Sequence, residues 1–148
     1  MSLKYWIFAF RLKTLTAAVV PIVVATALVA AKAGTLVTVQ WWISLLALLA
    51  SLCIQIGTNL VNDAMDFKKG ADTNQRLGPQ RVTQSGIFSA QRVLIVASFF
   101  FLGAIAFAIP LVIKGGTPIV LIGLFSILMG CAYTAGPFPL AYLGLGDI

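Results

Sequence analysis

Residues 41–66 read WWISLLALLASLCIQIGTNLVNDAMD, and the reading of this stretch decides the fold. Positions 41–54 are almost wholly apolar, and Gln55, Asn59, Asn62, Asp63 and Asp66 then follow at intervals of 4, 3, 1 and 3. Those intervals put amide and carboxylate groups on one face of a helix. The apolar part is long enough to cross the roughly 30 Å hydrocarbon core of a bilayer. A carboxylate turned toward lipid is costly, so the stripe must face a protein interior or a wet cavity. The stretch is therefore predicted to be a membrane-crossing helix with a polar site at its far end.

Outward from it, three further apolar runs lie at 14–31, 93–113 and 118–135, giving with 41–61 four predicted transmembrane helices of an all-α membrane protein. The composition agrees: 60% of the 148 residues are hydrophobic and 9% charged, against about a quarter charged in soluble domains. The first run is too long for a signal peptide, and no small-residue cleavage site leads into a polar mature chain. Trp41 and Trp42 suit an interfacial anchor. Thr117 is predicted to cap the fourth helix with Pro118 at its first position. Gly115-Gly116 makes a tight connection, and Gly136-Pro137 ends the fourth run. Pro21 and Pro110 should kink their helices or mark their ends.

Charge sets the orientation. Lys4, Arg11, Lys13, Lys68, Lys69, Arg76, Arg81 and Arg92 fall on one side, and only Lys32 and Lys114 on the other. This bias places the N terminus and the long connection at 62–91 on the cytoplasmic side of a multi-pass protein of the cell's inner membrane. It also accounts for the formal charge of +6 without nucleic acid. All four acids, Asp63, Asp66, Asp72 and Asp147, lie on that same side. The chain has no histidine, which removes histidine-based catalysis and most zinc sites. Cys53 and Cys131 sit in apolar runs and read as packing residues.

Carboxylate and amide oxygens on one face are hard ligands, suited to Mg²⁺ that bridges to substrate phosphates. The connection that follows is long, and such segments tend to be functional. It mixes Lys68, Lys69, Arg76 and Arg81 with the acids. Cations beside a metal site would neutralise phosphate oxygens the metal does not reach. Other readings stand beside this one. The acids could form an ion pathway in a small four-span transporter or ion-conducting subunit, or a satisfied structural network. Lys68, Lys69 and Arg92 also suit plain interfacial anchoring, and Arg11 and Lys13 suit snorkelling. A transporter's acids, however, would lie near mid-membrane rather than at the edge. No glycine-rich nucleotide loop is present.

Residues 62–86, NDAMDFKKGADTNQRLGPQRVTQSG, resemble the first aspartate-rich motif, NDxxDxxxD, of UbiA-type intramembrane prenyltransferases. They are most similar to the branch that prenylates 1,4-dihydroxy-2-naphthoate in menaquinone biosynthesis. There the last aspartate moves two residues on, as Gly70 and Asp72 show here. Residues 11–15, RLKTL, resemble the RPKTLxAA lead into the first span, with Leu12 replacing proline. Residues 133–147, YTAGPFPLAYLGLGD, resemble YTGGPxPLAYxGLGD after the fourth.

The resemblance implies that 1–148 forms the N-terminal half of a bundle of about nine helices, a partial prenyltransferase domain. It implies transfer of a polyprenyl group from polyprenyl pyrophosphate to 1,4-dihydroxy-2-naphthoate, giving demethylmenaquinone, pyrophosphate and CO₂. Asn62, Asp63, Asp66 and Asp72 would hold Mg²⁺, with the three aspartates catalytic. Arg76 and Arg81 would grip pyrophosphate, with Lys68, Lys69, Arg11 and Lys13 as further contacts. Tyr133 would orient the aromatic acceptor or a phosphate oxygen. A second aspartate-rich motif is expected in the C-terminal half, so the isolated chain is expected to be inactive. A non-catalytic assembly partner is a third reading, marked by function surviving loss of the three acids.

Overall fold

Apolar sequence without breakers folds as unbroken helix, and the computed structural model follows that rule over the residues it describes, 3–32, 40–70, 81–135 and 139–142. The elements are α1 (Leu3–Phe10), a 3-10 turn (Leu12–Leu15), α2 (Thr16–Lys32), α3 (Trp41–Lys68), α4 (Ala90–Gly115), α5 (Thr117–Ala132) and a short 3-10 turn (Leu140–Tyr142). No strand occurs among the described residues. Asp72, Arg76 and Asp147, and the Gly136-Pro137 stop, lie outside them.

Three helices are long and apolar enough to cross a membrane: Leu12–Lys32, α3 and α4, of 21, 28 and 26 residues. The fourth predicted span is shorter. α5 has 16 residues, about 24 Å at 1.5 Å per residue, and ends where Thr134 turns its hydroxyl onto α3. Helices α2 and α4 run through Pro21 and Pro110 without a break. Gly116, at φ 66°, is the N-cap of α5, so Thr117 is its first helical residue rather than its cap. Ser89 caps α4, accepting from the Arg92 N–H at 3.3 Å, and starts that helix three residues before the predicted position.

Helix α3 continues past the predicted boundary at 61. Nothing in 62–68 breaks a helix, and the chain turns only at Gly70, whose φ is +67°. Asn62, Asp63 and Asp66 are therefore held on helix, as their spacing predicts. Ahead of the first predicted span the structure adds α1. It is pinned by Trp6 stacked on Phe88 (4.3 Å between centroids) and Phe10 edge-on to Phe100 (5.2 Å).

The buried core gathers at this end of the bundle. Ala9, Leu60, Val61, Ala64, Val82, Phe88, Val93 and Ala97 bring α1, α3, α4 and the 81–88 segment together. Small residues allow close approach along α3. A Cβ on Gly57 would meet the Phe101 ring at 2.8 Å, and one on Gly130 would collide with Thr58. Helices α2 and α5 bury no residue completely within the chain.

Candidate functional site

The amide and carboxylate side chains on the last turns of α3 have defined bonds, whereas the buried Thr58 Oγ1 has no partner among the described residues. The Asn59 Nδ2 donates to the Phe10 carbonyl at 2.9 Å and to the Thr14 Oγ1 at 2.8 Å. It thereby fastens the corner between α1 and α2, where Arg11 adopts a left-handed conformation (φ 53°, ψ 62°). The Asn62 Oδ1 accepts from the Thr134 Oγ1 at 2.7 Å, tying the end of α5 to α3. The Asn62 carbonyl accepts from the Arg81 Nη1 at 2.8 Å. Asp66 forms an ion pair with the same Arg81 guanidinium. The Asp63 Oδ2 accepts from the Val82 N–H at 3.3 Å and its Oδ1 from the Thr83 N–H at 3.2 Å.

Arg81 reaches this position because residues 81–88 fold as a compact turn. The Arg81 carbonyl accepts from the Ser85 N–H (3.0 Å) and Oγ (2.8 Å), and the Val82 carbonyl accepts from Ile87 and Phe88 N–H. Gly86, at φ +70°, supplies the reversal.

The structure thus brings together Asn62, Asp63, Asp66 and Arg81, all buried. Among the described residues it does not bury three other predicted cations: Lys68 and Lys69 are exposed at the end of α3, and Lys13 is exposed. Arg11 is half-buried at its corner, and Tyr133 sits 37% exposed beside Thr134. Thr134, Thr83 and the Asn59 anchor belong to the cluster although the residue types alone single out neither threonine. A threonine at the end of an apolar helix ordinarily bonds back to its own helix, as Ser98 and Ser126 do here.

The buried charges among the described residues are two carboxylates, Asp63 and Asp66, and one guanidinium, Arg81. The donor set is all hard oxygen, the set a divalent cation such as Mg²⁺ accepts. The buried Thr83 Oγ1, with no hydrogen-bond partner among the described residues, adds a further oxygen beside it. Three or more acidic, cysteine or histidine residues do not converge among the described residues; Asp72 is not among them. These residues fit a metal whose coordination is completed from elsewhere.

A hollow of about 340 Å³ opens between α2 and α3 near Thr26, Val29, Ile43 and Ser44. Ser44 stands 22 residues before Asp66 on the same helix, about 33 Å away along its axis. The hollow has no charged lining residue. It belongs to the apolar end, not to the acid cluster.

Comparison with known proteins agrees with the resemblance of the motifs. Residues 18–148 match the UbiA prenyltransferase family. A 1,4-dihydroxy-2-naphthoate octaprenyltransferase of Escherichia coli (strain K12) is 35% identical, over 97% of this chain and 47% of its own length. One of Mycobacterium tuberculosis is 32% identical, over 99% of this chain and 49% of its own length. A 2-carboxy-1,4-naphthoquinone phytyltransferase of Synechocystis is 30% identical, over 98% and 45%. The chain spans about half the length of the curated relatives it matches. No solved structure matches it. A multi-pass set of apolar helices, the aspartate-rich end of α3 and a match over most of the sequence agree: the chain belongs to the UbiA prenyltransferase family.

Proposed function

We propose that the chain supplies the prenyl-pyrophosphate side of an enzyme that transfers a polyprenyl group to 1,4-dihydroxy-2-naphthoate. The observation that carries this reading is the buried cluster of Asn62, Asp63 and Asp66 on the last two turns of α3 with Arg81 from the 81–88 segment. The names of the relatives supply the acceptor. The position of the acids also favours it over an ion path, which would place them near the middle of the helix.

In this reading the allylic C–O bond breaks and its electron pair leaves with pyrophosphate. Arg81 and Arg76 neutralise the charge that develops on the leaving oxygens, with Lys68, Lys69, Arg11 and Lys13 around them. Asn62, Asp66 and Asp72, with Asp63 beside them, would hold Mg²⁺, which supplies Lewis-acid neutralisation of the pyrophosphate when bound. The electron-rich ring carbon that bears the carboxylate attacks the allylic carbon, and CO₂ departs leaving its bonding pair in the ring. Atom balance gives the hydroquinone form of demethylmenaquinone; oxidation to the quinone is a separate step. Tyr133 would orient the ring from the end of α5. The positive-inside bias supports a site at the cytoplasmic face of the inner membrane.

Asp66→Asn in the full-length protein is expected to lower prenyl transfer at least a hundredfold, on the scale of losing one transition-state charge contact, with membrane insertion unchanged. Unaltered transfer would remove the metal role. Residues 1–148 alone are expected to show no turnover, and a measurable rate from that polypeptide would overturn the reading of a partial domain.

A further inference from the structure

Asp63 stands apart from the other members of the stripe. On a helix turning about 100° per residue, positions 59, 62 and 66 fall within an arc of about 60°, while 63 lies at its flank. The side chain is 1% exposed, and each carboxylate oxygen already accepts a backbone N–H, from Thr83 and from Val82. Those two amides immediately follow Arg81, whose guanidinium meets Asp66 and the Asn62 carbonyl one turn along the same helix. A carboxylate holding two successive backbone amides fixes both the position and the direction of the segment that carries them.

We infer that Asp63 is a positioning residue: it fastens the 81–88 segment to α3 and so sets Arg81 against Asp66 and the pyrophosphate site, rather than ligating the metal itself. The inference rests on the proposed function for its consequence, but its geometry stands independently. The fastening has a second point, the Trp6–Phe88 stack at the other end of the segment. Residues 81–88 are thereby held at both ends, and Arg81 is aimed from a fixed base. Asp66, at the centre of the polar arc, is left as the carboxylate that a cation and Arg81 share.

The test compares the full-length protein with its Asp63→Asn and Asp66→Asn variants in detergent. Amide hydrogen exchange reads the segment, and Mn²⁺ binding by electron paramagnetic resonance reads the metal, alone and with inorganic pyrophosphate. In Asp63→Asn, Val82 and Thr83 are expected to exchange roughly tenfold faster or more, the scale of losing a hydrogen bond to a charged group. Mn²⁺ alone should bind within about twofold of the parent, while Mn²⁺ with pyrophosphate weakens roughly tenfold because Arg81 loses its aim. A general folding defect would lower both affinities together. Asp66→Asn should show the reverse pattern, with Mn²⁺ alone weakened and the two amides still protected.

If Asp63→Asn weakens Mn²⁺ alone as much as Asp66→Asn does, or leaves Val82 and Thr83 protected, the inference is overturned. Should that variant not fold, the parent protein gives the answer: the two amides are expected to stay protected when Mn²⁺ is added. Their release by the metal would show Asp63 leaving them to become a ligand. A parent that binds no Mn²⁺ sinks the proposed function, while the exchange rates still judge the fastening.

Discussion

The two ends of α3 are built differently. At its start, Trp41, Trp42 and Leu45 are exposed to the surroundings of the chain, and the main polar link to α2 is a hydrogen bond of 2.9 Å between Thr26 and Ser44 beside an open hollow. At its end, Asn59, Asn62, Asp63 and Asp66 are buried and bonded to three other parts of the chain: the α1–α2 corner, the end of α5 and the 81–83 segment. Apolar helix needs no protein neighbour in a bilayer, because lipid covers it as well as leucine does. Polar helix does need one, since its groups must be satisfied within the protein. The tightest tertiary structure therefore collects where the sequence is least hydrophobic, the opposite of a water-soluble core.

The contrast can be broken by substitution. The largest effect is expected at Arg81→Met, which leaves Asp66 buried without its guanidinium. Such a broken pair costs about 3–5 kcal/mol, read as the shift in unfolding free energy in mixed micelles. Adding Asp66→Leu should recover most of that loss, because both charges are then gone. Asn59→Ala removes two bonds that hold the α1–α2 corner, for an expected loss of about 1–3 kcal/mol. Its specific sign would be faster proteolysis between Phe10 and Thr14. The smallest effect belongs to Thr26→Val at the opposite end, about 0.6 kcal/mol, the mean for hydrogen bonds between membrane helices. If Thr26→Val costs as much as Arg81→Met, the two ends are not built on different principles.

Much of this was legible in the residues. The stripe on α3 follows from spacing alone, because a helix permits only one face for 55, 59, 62 and 66. The apolar runs gave the membrane class, three helices long enough to cross and the shorter apolar α5. At 16 residues α5 ends before its predicted limit because hydropathy does not register where a chain turns to place Thr134. Asp66 and Arg81 were each visible as candidates, yet their pairing was not. It depends on a compact turn at 81–88 whose bonds are mostly backbone to backbone. That Asp63 accepts two backbone amides was not visible either, because composition does not show which donors a carboxylate meets. Helix α1 was hidden because residues 3–10, LKYWIFAF, are only 8 residues long, too short to cross a bilayer. Its order comes from aromatic partners far along the chain.

The bond between Asn62 and Thr134 also sets a schedule for biogenesis. The two residues are 72 positions apart, which a ribosome covers in roughly 4–14 s at 5–20 residues per second. Throughout that interval the second crossing helix is already made while the threonine that closes its amide is still unsynthesised. The nascent mouth must stay wet, or be chaperoned by the insertion machinery, until α5 arrives.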